Sequence, residues 1–354
     1  MTSFTLDLPH THIVFGVGSL RLLGRELERL GAQRVMVIAT PGRAVLAASL
    51  DGLIPSLIVH RFESAVPHVP EGVFEEARAA AAASAADCLL SLGGGSAIGI
   101  AKAVGLRAGI PVAAVPTTYS GSEMTPIWGL TTSGEKQTGR DPRVQPRLVV
   151  YDPELTVDLP QRVSASSGMN AIAHCIEALY AVDGNPLTSI AAERGITLLS
   201  GAMRTIATAP REMTARSQAL TGACLAGFAL GTVQMALHHK LCHTLGGTFD
   251  MPHADTHAVL LPYTSAFNAS AAPEAMRAVA VALGAPSAPV GLLELSRHIA
   301  APMSLAVLGL READIDRAVD LAVSMPYPNP RPVTRDAVRE LLNAALVGDR
   351  TYIE

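Results

Sequence analysis

Two different rhythms run along this chain. Through residue 118, short apolar, β-rich runs alternate with stretches whose apolar positions recur at helical spacing. HIVFGVG (12–18), RVMVIAT (34–40), SLIVHRF (56–62), DCLLSLGGG (87–95) and PVAAVPTT (111–118) read as strands. Between them, SLRLLGRELERLG (19–31), PEGVFEEARAAAAASAA (70–86) and SAIGIAKAVGLRAG (96–109) read as helices. Such alternation predicts right-handed βαβ units and a parallel sheet covered on both faces. Ligands on such sheets bind at the carboxyl ends of the strands. After DPELTVDLP (152–160) the pattern turns almost wholly helical, broken by DGNP (183–186), a Pro-containing loop near 252, GAPSAP (284–289) and PYPNPRP (326–332). The expected organisation is an α/β dinucleotide-binding domain over 1–155, with a parallel Rossmann-like sheet, and an all-α domain over 156–354.

Composition adjusts this picture only slightly. A chain of 354 residues suits two domains, and 49% hydrophobic with 16% charged residues suits a globular protein. A net charge of −4 makes no electrostatic case for nucleic acid. The four cysteines, Cys88, Cys175, Cys224 and Cys242, lack CxxC spacing and read as reduced thiols, with Cys242 alone near candidate chemistry. The N-terminal run MTSFTLDLPHTHIVFG lacks a basic region and a long apolar core, so no signal peptide is expected. The most apolar stretch, 222–237, falls short of a membrane span and reads as a buried helix. A cytoplasmic protein with no membrane partner is the expectation.

Two loops carry candidate phosphate chemistry. In CLLSLGGGSAIGIAK (88–102) a strand runs into three glycines, a serine and a helix. Glycines let backbone amides approach an anion, and a helix N-terminus adds donors and a favourable dipole. Gly94, Gly95 and Ser96 are the candidate contacts, with Ser96 doubling as an N-cap. The next strand ends in PTTYSGSEMT (116–125), which adds Thr117 and Thr118. Neither loop is GxGxxG or the Walker P-loop. At the end of VIATPGR (37–43) no acid waits for a ribose hydroxyl, so Thr40 and Arg43 become candidates near a 2′-phosphate. Arg43 equally suits a solvated helix start. NADH and NADPH are both expected to serve.

The densest chemistry is HHKLCHTLGGTFDMPHADTH (238–257), which holds five of the chain's eleven histidines. His239 and His243 are i and i+4 on a helical pattern, as are Asn170 and His174 in SSGMNAIAHCIEALYA (166–181), with Glu177 one turn further. His253 follows Pro252, and His257 comes four residues later. Three imidazoles would accept a first-row metal readily. One histidine on an apolar face is usually structural, whereas two spaced pairs plus a third element point to a pocket.

In their order, GGGS…K, PTT…GSE, GMNAIAHCIEAL and HHKLCHTLGGTFDMPHADTHAVLLP resemble the iron-containing (group III) alcohol dehydrogenase superfamily along nearly the whole chain. The resemblance implies a nucleotide-binding α/β domain and an all-helical domain, the dehydroquinate synthase-like architecture. In the metal-dependent members an aspartate and three histidines hold Fe²⁺ or Zn²⁺. Those positions fall here on Asn170, His174, His239 and His253, so the aspartate is missing. An acid usual three residues after the GGGS serine is also missing, replaced by Gly99. With TTYSGSEMTP and HHKLCHTLGG, these departures are similar to the maleylacetate reductase branch. That branch implies reduction of 2-maleylacetate to 3-oxoadipate by NADH or NADPH, and a homodimer.

Asn170 removes the only anionic ligand, and a neutral amide is a poor partner for a divalent ion. No tightly bound metal is therefore expected, and the pocket, cationic when protonated, suits a small dianionic substrate. His243 is the expected general acid, able to titrate near neutrality. His239, His253 and Asn170 are expected to serve the oxyanion and a carboxylate. His174, Lys240, Tyr119 and Ser122 are further substrate-binding candidates. Tyr327, Asn329 and Arg331 lie in a Pro-rich segment that could line the pocket. Rival readings are a metal-dependent alcohol or polyol dehydrogenase that tolerates Asn170, and a non-catalytic nucleotide sensor.

Overall fold

The structure is a computed structural model and describes residues 4–8, 10–132 and 135–354; the first three residues of the N-terminal run lie outside these. The chain divides into two compact units. One is Asp7–Leu159, and the other is Pro160–Glu354 with the described N-terminal residues up to Leu6.

In the first unit the elements are β1 (His12–Phe15), α1 (Leu23–Leu30), β2 (Val35–Ala39), α2 (Ala44–Ser49), β3 (Ile58–Phe62), α3 (Glu71–Ala83), β4 (Cys88–Gly93), α4 (Gly95–Ala108), β5 (Val112–Pro116), β6 (Ile127–Thr132), β7 (Glu135–Arg140) and β8 (Leu148–Tyr151). Periodicity foresees the five strands through β5 but not the last three. β8 is a four-residue run, LVVY, too short to announce itself. β6 and β7 form an antiparallel pair, and β7 (EKQTGR) has no apolar alternation to read.

The sheet is six-stranded and parallel, in the order β1-β8-β5-β4-β2-β3. Side chains of β2 alternate between its two faces. Met36 and Ile38 pack with Phe74, Ala77 and Ala81 of α3 and with Ala97, Ile100 and Val104 of α4. Val35, Val37 and Ala39 pack with Leu23 and Leu27 of α1 and Ala47 of α2. Burial on both faces explains why these strands are continuously apolar rather than alternating. From β2 the chain moves outward to β3, then returns to the other side of β2 as β4. The order therefore reverses between β2 and β4, and a ligand crevice opens at the carboxyl ends of strands at such a point. Ala39 and Gly93 are those ends.

Two buried ionisable groups order the chain after β5. Lys102 of α4 is wholly buried, and its Nζ donates to the carbonyl oxygens of Ser122 (2.5 Å), Thr125 (2.6 Å) and Ile127 (3.1 Å) and to Thr125 Oγ1 (2.9 Å). Glu123, equally buried, accepts from the Tyr151 hydroxyl at 2.7 Å. Burial pushes Lys102 down to about 7 and Glu123 upward, each partly offset by the other's charge.

The second unit is helical throughout: α5 (Gln161–Leu179), α6 (Pro186–Thr208), α7 (Met213–Thr232), α8 (Leu237–Phe249), α9 (His253–Asn268), α10 (Pro273–Leu283), α11 (Ala288–His298), α12 (Ile315–Val323) and α13 (Arg335–Val347). α5 is buried without a break from Ser164 to Ala178, the mark of a helix enclosed on all sides. Its neighbours are α6, α7 and α9. A second core gathers Leu241 and Leu245 of α8, Leu260 and Phe267 of α9, Val319 of α12 and Leu341 of α13. The apolar stretch 222–237, expected as one buried helix, is instead broken. α7 ends at Thr232, and the chain turns through 97° before α8. By length and composition Pro273–His298 could cross a membrane, but it is α10 and α11 joined at Gly284, packed on α6 and α9.

Replacing Lys102 with methionine leaves buried carbonyls unpaired and Glu123 without its counter-charge. The expected loss is about 3–5 kcal/mol of stability, measured by urea unfolding.

Candidate active site

The βα turn at the switch point has features that suit an anion. Gly93 has φ +152°, outside the usual range of a side-chain-bearing residue, and Gly94 caps α4 with no side-chain bond. Ser96 is thus not the N-cap expected from sequence; it sits inside the first turn, because the cap is Gly94, two residues earlier. A Cβ on Gly94 would lie 2.7 Å from Thr118 Oγ1, so Thr118 is pressed against this turn. A Cβ on Gly95 would meet nothing within 4 Å, which leaves open space before the first-turn amides. Thr117 donates its backbone N–H to Gly93 O at 2.9 Å, and its buried hydroxyl has no protein partner. These features fit a dinucleotide pyrophosphate. At Gly99 a Cβ would meet Val69 Cγ2 at 2.8 Å, so valine occupies the room an acid there would need.

Beside the end of β2, Thr40 precedes a short 3-10 turn, and its carbonyl accepts from Arg43 N at 2.8 Å. Arg43 is half-buried. Burial lowers its guanidinium, and the charge of Asp158 pulls it back up. Tyr119 is wholly buried, and Ser122 is half-buried in the turn whose carbonyl Lys102 holds.

In the helical unit the histidines come together around a residue that spacing alone did not single out. Glu177, fully buried on α5, accepts from Ala236 N (2.9 Å) and His238 N (2.8 Å), the first amides of α8. It thereby caps a helix that has no side-chain cap of its own and places a negative charge at the positive end of its dipole. The same carboxylate accepts a hydrogen bond from His239 Nδ1–H at 2.6 Å. His239 Nε2 then carries a lone pair, which accepts from His174 Nδ1 at 2.8 Å. Both nitrogens of His239 are engaged. It is therefore an orienting link between Glu177 and His174 rather than the free donor that sequence suggested.

A second wire runs alongside. Thr264 donates its one hydroxyl proton to Leu260 O (3.1 Å), so it must accept from His238 Nδ1 (2.9 Å). His238 Nε2 in turn accepts from His257 Nδ1 (2.9 Å). That sequence of donors leaves a bare lone pair on His257 Nε2, buried and without a protein partner. Burial first, then neighbouring histidines, hold His238 and His257 well below the ordinary imidazole value, so these two stay neutral. The cationic pocket expected from sequence cannot be carried by them.

The remaining candidates fall around this pair of wires. The His253 ring centroid lies 4.5 Å from that of His257, and the half-buried His243 stacks on His253 at 5.9 Å and lies 6.1 Å from His239. Asn170 is buried with Oδ1 unpartnered, so its amide can turn to a ligand. Lys240 is half-buried on α8. The start of α9, which bears His253 and His257, is pinned to α5 by Asp255, which accepts from Ser166 Oγ and from Arg162 Nη2 (2.6 Å). The Pro-rich segment is a strap. Asn329 exchanges amide bonds with Asn268 and accepts from Leu237 N (3.4 Å), while Arg331 lies 4.3 Å over the Phe267 ring. Tyr327 is half-buried, its phenol pushed upward by burial and by Glu177. Sequence reasoning left Glu177, His238, His257 and Asp255 without roles. The available signals were the i, i+3 spacing of His174 and Glu177 and the i, i+4 spacing of His253 and His257.

The family model for iron-containing alcohol dehydrogenase matches residues 10–153, and that for the C-terminal part of the Fe-containing alcohol dehydrogenase family matches 164–346. The chain belongs to the iron-containing alcohol dehydrogenase family. Maleylacetate reductase of Burkholderia cepacia is 49% identical over 350 residues, covering 99% of both chains. The crystal structure of maleylacetate reductase from Agrobacterium tumefaciens is 44% identical with a TM-score of 0.94, covering 99% of this chain and all of that one (100%). An iron-containing alcohol dehydrogenase from Corynebacterium glutamicum is 42% identical with a TM-score of 0.93, covering 99% and 98%.

The family name implies iron, yet the residues at the ligand positions fit a divalent ion poorly. Position 170 is an amide, and the nearby carboxylate, Glu177, is spent on two backbone amides and His239. His174 and His239 share a proton across 2.8 Å, which occupies the lone pair a metal would need. Among the described residues, the group whose ligand atoms lie within 4.8 Å of one another is a different one: His238, Cys242 and His257.

Two variants test the site. Gly95→Val is expected to fold normally, since its side chain enters open space, and to raise the cofactor KM by filling the anion seat. An unchanged KM for both NADH and NADPH refutes the assignment. Glu177→Gln is expected to lose about 1.5–3 kcal/mol in urea unfolding, since it replaces bonds to a charged acceptor, and turnover should fall as His239 is released.

Proposed function

We propose that this chain is a maleylacetate reductase. It reduces the carbon–carbon double bond of 2-maleylacetate with NADH or NADPH to give 3-oxoadipate, late in bacterial breakdown of aromatic rings, as a cytoplasmic homodimer. Full-length likeness to maleylacetate reductases supports the reading. The observation that carries it is Asn170, whose amide leaves the histidines bonded to one another instead of arranged for an ion. A pocket of this kind acts through protons.

When bound, the nicotinamide cofactor supplies the hydride, which the alkene carbon β to the ketone receives. Charge then develops on the ketone oxygen, and the α-carbon needs a proton. Positive charge on the His174–His239 pair is spread through the proton already in its 2.8 Å bond and balanced by Glu177 through His239. The pair can therefore present a donor to the oxyanion without stranding a buried charge, and a placed donor of this type is worth about 2.7–4 kcal/mol. Asn170 offers its amide to a substrate carboxylate. His243, half-buried beside His253, delivers the proton to carbon, an effect of about 10²–10⁴-fold. Glu177 and Asp255 touch no substrate in this scheme; they aim the rings.

The likeness to an iron-containing alcohol dehydrogenase favours a second reading, metal-dependent alcohol oxidation. One assay separates the two: NADH oxidation with freshly prepared maleylacetate, with and without EDTA, against a panel of alcohols with added Fe²⁺ or Zn²⁺. Turnover of maleylacetate that EDTA leaves intact is expected. Faster turnover of an alcohol, lost to EDTA and restored by metal, overturns the proposal. His243→Ala is expected to lower kcat by about 10²-fold or more with little change in KM, because a proton donor acts in the transition state.

A further inference from the structure

His238 and Cys242 are i and i+4 on α8, and His257 faces them from α9. All three are fully buried. His238 Nε2 lies 2.9 Å from His257 Nδ1 and 3.7 Å from Cys242 Sγ. In a site with metal–nitrogen bonds of about 2.0–2.1 Å and a metal–sulfur bond of about 2.3 Å, donors stand roughly 3.3–3.7 Å apart. The His238–Cys242 spacing already meets this, the imidazole nitrogens need to part by about half an ångström, and all three ligand atoms lie within 4.8 Å of one another. The His238 ring is held from behind by Thr264, the outer hydrogen bond that orients a ligating imidazole.

We propose that His238, Cys242 and His257 form a buried binding site for one monovalent soft cation, Cu(I) or Ag(I), separate from the residues at the family's ligand positions. Three arguments select that class of ion. A thiolate with two imidazoles is a soft donor set. Three donors suffice for a monovalent d¹⁰ ion, whereas Zn²⁺ asks for a fourth, and among the described residues this group has three members. Charge also balances: the cation replaces the thiol proton, so the buried charge is unchanged and no electron moves. The incoming ion must be one soft enough to displace the thiol proton. His257, ligating through Nδ1, carries its own proton over to Nε2, the atom that otherwise has no partner. The overall exchange binds one cation and releases one proton, from Cys242.

The test uses the full chain and reads bound metal, so its outcome is independent of the reductase reading. Protein is loaded with Ag(I), or with Cu(I) presented as its bathocuproine disulfonate complex, desalted and analysed for metal. One equivalent per chain is expected in the wild type and in Cys224→Ala, and background in Cys242→Ala. Copper-edge absorption of the loaded wild type should show one sulfur and two nitrogen neighbours, a readout that does not depend on any variant folding. Failure of the wild type to retain the ion, full retention by folded Cys242→Ala, a sulfur-only shell, or equal retention of Zn²⁺ would each overturn the proposal.

Discussion

The helical unit is organised around one buried carboxylate. Glu177 has no solvent to stabilise it, so it must be satisfied by protein donors, and those donors define the site. Two are the amides that open α8, a third is the imidazole of His239, and the Tyr180 hydroxyl adds a longer bond at 3.4 Å. One group therefore fixes where α8 begins, how α8 meets α5, and which tautomer His239 adopts. The tautomer then dictates that His174 donates to His239. Remove the charge, and the helix start and the imidazole pair lose their common anchor together.

The substitution at position 170 gains its meaning from that arrangement. With an aspartate there, the histidines would have an anionic partner for an ion. With an amide, the strongest acceptor available to them is Glu177, and the imidazoles pair with each other. The same change puts an amide where a carboxylate would stand, beside imidazoles bonded to one another and to Glu177. His238 and His257 form a separate wire, held neutral by burial, and do not contribute positive charge.

In the α/β unit the constraint is topological. The reversal of strand order between β2 and β4 sets two loops at the carboxyl edge, and the one that follows Gly93 exposes amides because its residues carry no side chains to cover them. Lys102, wholly buried, ties the later loop at three carbonyls, while Thr117 is bonded to Gly93 and Thr118 is pressed against Gly94.

By itself the sequence determined the broad plan. Periodicity located β1 to β5 and the helices between them because those strands are apolar on both faces, and the switch to helical spacing after residue 160 marked the second unit. Spacing marked Asn170, His174, His239 and His243, because i, i+4 pairs share a helix face whatever the tertiary context. It could not show β7, whose side chains lack alternation, nor the break after Thr232, where composition stays apolar while the backbone turns. Nor could it locate the start of α8, since Ala236 offers no local cap and the capping group comes from α5. Only the tertiary structure decided that Glu177 is the anchor, that Ser96 lies inside its helix, that His239 is spent as a link, and that His238, Cys242 and His257 converge. For Glu177 and His239 the reason is that a hydrogen bond between residues about sixty positions apart leaves no periodic trace, and which nitrogen of an imidazole carries the proton depends on what lies across from it.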